Sequence, residues 1–209
     1  MGVPTIADPA AVFIDFQGYF CSAAFGHVDG EGEAEGAAAI AATNAFLERY
    51  RETGRTPMFV RTHHDEASNS PVWARKYEAR GEVAPCRPGS DEAAFAEDLD
   101  VRDSDLILTK HRYDAFYATS LETYLSANAV GELLIGGVAT HICVESAMRS
   151  AFDRDYDATL LADCTASNDP EDKATALERI DGSFGRVTES DSIALESRSS
   201  TQVSDSKAP

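Results

Sequence analysis

Three residues of this sequence carry side chains suited to one covalent reaction: Asp15, Lys110 and Cys143. Cys143 lies in the stretch 132–152, which reads Glu-Leu-Leu-Ile-Gly-Gly-Val-Ala-Thr-His-Ile-Cys-Val-Glu-Ser-Ala-Met-Arg-Ser-Ala-Phe. Leu133, Leu134 and Ile135 predict a short buried strand, and Gly136-Gly137 predicts its break. Thr140 is placed to cap a following helix, in which Val144, Ala147, Met148, Ala151 and Phe152 recur at helical spacing. In the first turn of a helix, exposed N–H groups and the positive end of the dipole favour a thiolate over a thiol. A cysteine at a strand–turn–helix junction is placed as a nucleophile. The same pattern also accommodates a buried, inert thiol, and the stretch alone leaves both readings open.

The elements before and after it decide what Cys143 can meet. Ala11–Ile14 predicts a buried strand closed by Asp15, and Met58–Val60 a second, followed by the polar run Arg61-Thr62-His63-His64-Asp65. Leu106–Leu108 predicts a third, closed by Thr109-Lys110, and Ala158–Ala162 a fifth. Arg186–Thr188 is a short last strand. Helical periodicity falls at about 34–53, at Leu121–Leu125, and after Asp169-Pro170, a cap followed by Pro at the first position. Gly26 to Gly36 reads as a flexible acidic stretch, and 66–90 as a long loop of the kind that often carries function. Alternating strands and helices predict an α/β protein with a mostly parallel sheet and helices on both faces. Asp15, Lys110 and Cys143 each follow a different strand and therefore share the carboxyl edge, where such sheets bind ligands.

The composition narrows the partners. The chain has 209 residues, 36 acidic against 18 basic, and a net charge of −18. Lysine is confined to Lys76, Lys110, Lys173 and Lys207. Such a surface argues against nucleic acid and against anionic lipid. It suits a salt-rich cytoplasm, so a halophilic source is an expectation. No apolar run is long enough to span a membrane, and the N-terminus lacks the pattern of a signal peptide. Cytoplasmic residence is expected. Cys21, Cys86, Cys143 and Cys164 form no CxxC pair, so neither zinc nor a disulfide framework is expected. One domain over 1–194 and a disordered Ser-rich tail over 195–209 complete the expected organisation.

Acyl transfer to sulfur fits the three polar residues. Lys110 would stabilise a thiolate, and Asp15 would take the thiol proton and deliver it to a leaving amine. The turn Gly137-Val138-Ala139-Thr140 would aim N–H groups at the oxyanion. This chemistry requires no metal or organic cofactor.

With these motifs in order, the chain resembles the isochorismatase-like cysteine hydrolase superfamily, which includes nicotinamidases, N-carbamoylsarcosine amidases and ureidoacrylate-type amidohydrolases. The resemblance rests on Ala11–Gln17, Lys110–Phe116 and Gly136–Ser146, and it covers roughly 8–190. It implies a Rossmann-like three-layer αβα fold with about six strands. It also implies a catalytic triad of Asp15, Lys110 and Cys143, a cis peptide between Val138 and Ala139, and an oxyanion hole from the N–H groups of Ala139 and Cys143. A homo-oligomer and a small-molecule amide or ureide substrate are implied as well. Isochorismatases proper lack the nucleophilic cysteine, so Cys143 points to amide or ureido C–N cleavage. Nicotinamidases carry an Asp-x-His metal pair where this chain reads Thr62-His63-His64, and no histidine falls between His64 and His111. Metal and nicotinamide are therefore not expected, although a nicotinamidase and a non-catalytic binding protein remain the alternatives. Phe16, Gln17, Trp73, Tyr113, Phe116 and His141 are candidates for lining the pocket, and each is equally a candidate for ordinary packing. His63-His64 is expected at its entrance, and Cys21, Cys86 and Cys164 are expected to be structural.

Overall fold

Side chains on a strand alternate between faces, and β1 (Ala10–Ile14) and β4 (Glu132–Val138) use that alternation to build two cores. Val12, Ile14, Leu133 and Ile135 face one side; Ala11, Phe13 and Leu134 face the other. The computed structural model describes residues 8–25 and 28–197. Among them, β1, β2 (Met58–Thr62), β3 (Leu106–Lys110), β4, β5 (Asp157–Ala166) and β6 (Arg186–Thr188) form one parallel sheet in the order β3-β2-β1-β4-β5-β6. The chain reverses direction across the sheet between β1 and β4, and the crevice at that point is where such folds place ligands.

Helices cover both faces. The short α1 (Gly18–Cys21) follows β1, and α2 (Gly30–Glu52) lays Ala39, Ile40, Phe46, Leu47 and Tyr50 on one core. The Tyr50 hydroxyl donates to the Pro9 carbonyl at 2.9 Å and accepts from the Ala11 N–H at 3.1 Å, which pins α2 to the start of β1. On the opposite face lie α4 (Leu121–Ala127), α5 (Glu145–Phe152) and α6 (Pro170–Ser183). The Asp169 carboxylate caps α6 by accepting from the N–H groups of Glu171 and Asp172, as its Asp-Pro start predicts. Among the described residues, no helix is long and apolar enough to cross a membrane.

Several expectations change. The Gly30–Gly36 part of the supposed flexible stretch is the first turns of α2, capped by Asp29; residues 26 and 27 lie outside the described residues. Its glycines allow close contact: a Cβ on Gly32 would lie 3.3 Å from the Asn168 backbone, and one on Gly36 3.4 Å from the Cys21 carbonyl. The supposed loop over 66–90 contains α3 (Pro71–Glu78), started by a Ser70 cap and Pro71. Gly136-Gly137 does not end β4, which runs on to Val138 through an irregular register with β5. Of the expected tail, residues from 198 onward lie outside the described residues. Before that point, Leu195 packs against the core and the Glu196 carbonyl accepts from Arg55 Nη1 at 2.7 Å.

The glycine pair lets β4 pass close to β1. Gly137 has φ +139°, and a Cβ there would sit 2.2 Å from the Ile14 carbonyl oxygen. A Gly137→Ala variant should therefore lose about 2–3 kcal/mol of stability through overlap and backbone strain. Urea unfolding measures this, and an unchanged midpoint would show that the two strands are free to separate.

Candidate active site

Each strand end delivers one polar side chain to the same point. Asp15 follows β1 in a left-handed backbone conformation, φ 57°, with its N–H donating to the Val60 carbonyl at 2.8 Å. Lys110 is the last residue of β3. Cys143 lies in a π-helical turn, Thr140–Val144, between β4 and α5. Such turns recur at functional sites because they re-aim a side chain. The Val138–Ala139 peptide that enters the turn is cis. Thr140 is not the expected cap: its hydroxyl donates to the Ala166 carbonyl at 3.0 Å, tying the turn to β5.

The three side chains are buried together, with Asp15 0%, Lys110 1% and Cys143 5% exposed. Lys110 Nζ lies 2.7 Å from Asp15 Oδ2, 2.8 Å from Thr62 Oγ1, 2.9 Å from the Arg112 carbonyl and 3.6 Å from Cys143 Sγ. The Thr62 hydroxyl in turn donates to Asp15 Oδ1 at 2.9 Å. Asp15 Oδ2 has the ion pair but no well-aligned donor, so it keeps acceptor capacity for the thiol proton. Gln17 fixes the end of β2. Its amide donates to the carbonyls of Thr62 and Ala93 at 3.0 and 2.8 Å, and its oxygen accepts from the Thr62 N–H at 2.7 Å.

Burial decides the resting protonation. It pushes the Cys143 thiol up; Lys110 pulls the other way, and Asp15 adds to the rise. For Lys110, burial opposes the charge, but Asp15 and Cys143 outweigh it and the pKa rises. An Asp15–Lys110 ion pair beside a neutral thiol has no net charge, whereas a thiolate would add an uncompensated buried anion. Burial thus outweighs the helix start, and the resting sulfur is a thiol rather than the expected thiolate. Cys21 and Cys164, pushed up to about 12 by burial, and Cys86, raised for the same reason, are inert thiols.

Cys143 opens into a cavity of about 240 Å³ whose walls include Trp73, Lys76 and Tyr77 of α3, together with His64, Arg112 and Tyr113. Trp73 and Tyr113 were expected there. Phe16 and Phe116 instead pack in the two cores, 1% and 4% exposed. Gln17 is consumed by β2. His141 turns to Ser167, with Nδ1 2.8 Å from its hydroxyl, and towards Asp172, so it lies outside the cavity lining. His63, whose carbonyl meets the His111 ring, also lies outside that lining, whereas His64 lies within it. Thr62, Lys76, Tyr77 and Arg112 escaped the sequence reading. Trp73, Lys76 and Tyr77 recur at i, i+3 and i+4, a helical face that is aromatic and cationic rather than apolar. The Ser70-Pro71 start was the signal that could have exposed it.

His64 is held neutral. Trp73 Nε1 donates to its Nδ1 at 3.1 Å, so the ring proton sits on Nε2. Burial first, then Lys110 and Lys76, push its pKa down to about 4. Between about pH 6.5 and 4 the unfolded chain binds a proton here that the folded chain does not, so stability falls as pH falls through this window. A His64→Gln variant should lose stability less steeply between about pH 6.5 and 4, with the slopes differing most, by nearly one proton, near pH 5. Equal slopes in urea titrations would contradict the buried neutral ring. A nicotinamidase-type metal does not fit these donors: Thr62 replaces the carboxylate and its hydroxyl is engaged by Asp15 and Lys110, while His64 Nδ1 is taken by Trp73. Among the described residues, no three His, Cys, Asp or Glu side chains converge to hold a metal.

The six-stranded parallel sheet thus carries Asp15, Lys110 and Cys143 together at one edge. The isochorismatase domain family matches residues 9–192, and the chain belongs to that family. Ureidoacrylate amidohydrolase RutB of Methylobacterium radiotolerans is 40% identical over 110 residues, which is 52% of this chain and 42% of that protein, so the matched stretch spans less than half of the relative. RutB of Azorhizobium caulinodans is 28% identical over 201 residues, covering 88% of this chain and 87% of the relative. The structure of N-carbamoylsarcosine amidase from Thermoplasma acidophilum shares the fold, with a TM-score of 0.74 at 22% identity over 90% of this chain and 100% of that one.

Proposed function

We propose that the protein is a cysteine hydrolase that cleaves a C–N bond of a small amide or ureido compound through a thioester. The observation that carries this reading is the buried contact of Lys110 Nζ with both Asp15 Oδ2 and Cys143 Sγ at the floor of the cavity. Asp15 takes the thiol proton as Sγ attacks the carbonyl, and Lys110 stabilises the sulfur as its charge develops. The N–H groups of Ala139 and Cys143 receive the oxyanion. Asp15 then gives its proton to the departing nitrogen, and ammonia or an amine leaves. Water adds to the thioester, with Asp15 accepting its proton. Collapse releases the acid, and the same proton returns to sulfur.

The RutB proteins, named for ureidoacrylate hydrolysis, support the ureide reading. A nicotinamidase reading lacks its metal donors at Thr62 and His64. A panel of primary amides and ureides, assayed for ammonia, tests the proposal. Release from a subset of the panel, unaffected by chelators, is expected; an inactive panel would leave only a binding protein on this fold.

A further inference from the structure

We infer that the cavity takes a substrate bearing a carboxylate, held by Lys76 and Arg112 at the wall while its amide or ureido carbonyl meets Cys143. This deepens the hydrolase reading and rests on it for the role of Cys143. The chain carries 36 acidic residues against 18 basic ones, yet the lining of this cavity includes Lys76 and Arg112, with Arg80 at its rim, and no Asp or Glu. Asp15 lies beneath it, already paired with Lys110. Among the described residues, no carboxylate is within ion-pair distance of Lys76 or Arg112.

The two cations are placed rather than free. The Lys76 ammonium donates to the Tyr113 hydroxyl and sits 5.1, 5.0 and 4.8 Å from the ring centres of Trp73, Tyr77 and Tyr113. The Arg112 guanidinium donates to the carbonyls of His111 and Ser68 and lies 5.3 Å from the Trp73 ring centre. Both positive charges therefore share one indole without a counter-charge. Cation–π contact and neutral carbonyls offset part of their desolvation and mutual repulsion, and an anion would offset the rest. Each keeps unused N–H donors, three on Arg112 in a fork that matches a carboxylate. The low proton affinity of His64, to which Lys110, Lys76 and Arg112 all contribute after burial, reports the same positive potential. The volume, about 240 Å³, is at the small end for a ligand pocket, so the acid group and the scissile bond belong to one short molecule.

The sole tryptophan of the sequence, Trp73, provides a readout independent of turnover. Succinamate and N-carbamoylglycine, each against its methyl ester, would be titrated into the Cys143→Ala protein at fixed ionic strength while Trp73 fluorescence is followed. At least one acid should bind about tenfold or more tighter than its ester. Lys76→Met and Arg112→Gln should each cut that preference to about threefold or less, while Lys76→Arg retains most of it and Arg112→Lys, which keeps the charge but not the fork, retains an intermediate share. Equal or absent binding of acids and esters, or a preference that survives both neutral variants, overturns the inference. Acid binding with no ammonia release by the wild-type protein would instead sink the hydrolase reading and leave the anion site. Ammonia release from neutral amides with no acid preference would do the reverse.

Discussion

The Cys143→Ala protein should fold and lose its turnover: kcat/KM for any amide that the wild type hydrolyses is expected to fall by at least about 10⁴-fold. The sulfur is the atom that bonds to the substrate carbonyl, and no neighbour replaces it. Lys110 and Asp15 remain paired in the variant and carry no nucleophile of their own. The fold survives because the change removes one buried sulfur that was already protonated, leaving a small void that costs about 1 kcal/mol. Circular dichroism and a thermal melt check the fold, and ammonia release checks the activity. Activity within about tenfold of wild type would remove Cys143 from the chemistry.

Lys110→Met should produce the largest loss of stability. Asp15 is 0% exposed and loses the only cation that lies against its Oδ2 among the described residues. Leaving one partner of a buried pair without its counter-charge costs about 3–5 kcal/mol. The Thr62 hydroxyl, which now accepts from Nζ and donates to Oδ1, is left with Asp15 alone. Activity falls as well, because the developing thiolate loses its stabilising charge. The double variant Asp15→Asn/Lys110→Met separates electrostatics from packing. It should recover a large part of the lost stability, giving a coupling of more than about 1 kcal/mol. Strictly additive losses in urea titrations would mean that the pair is not held as an ion pair.

The sequence carried the strand ends well because Asp15 and Lys110 close short apolar runs, and such runs fix register against a two-sided core. It carried the turn before Cys143 less well. Gly136-Gly137 reads as a break because glycine usually ends a strand; here the missing side chains let β4 lie against Ile14. The state of Cys143 was out of reach for a different reason. The helix start is a local feature of the sequence, while burial on all sides arises only on folding. The cavity wall was the least legible part. Helix α3 points aromatic and cationic side chains at an opening rather than apolar ones at a core, so its periodicity carried no hydrophobic signal. Phe16, Gln17 and Phe116 stood near the motifs in sequence, yet their side chains turn to packing or to β2.

The most direct test is intact-mass analysis after rapid quenching in acid, with an amide that the wild-type protein hydrolyses in excess. The expected result is a covalent adduct of the substrate acyl group, less the departed ammonia or amine, located by peptide mapping on Cys143 and removed by hydroxylamine. Steady turnover with Cys143 unmodified at every time, while an adduct appears on another residue, would contradict it.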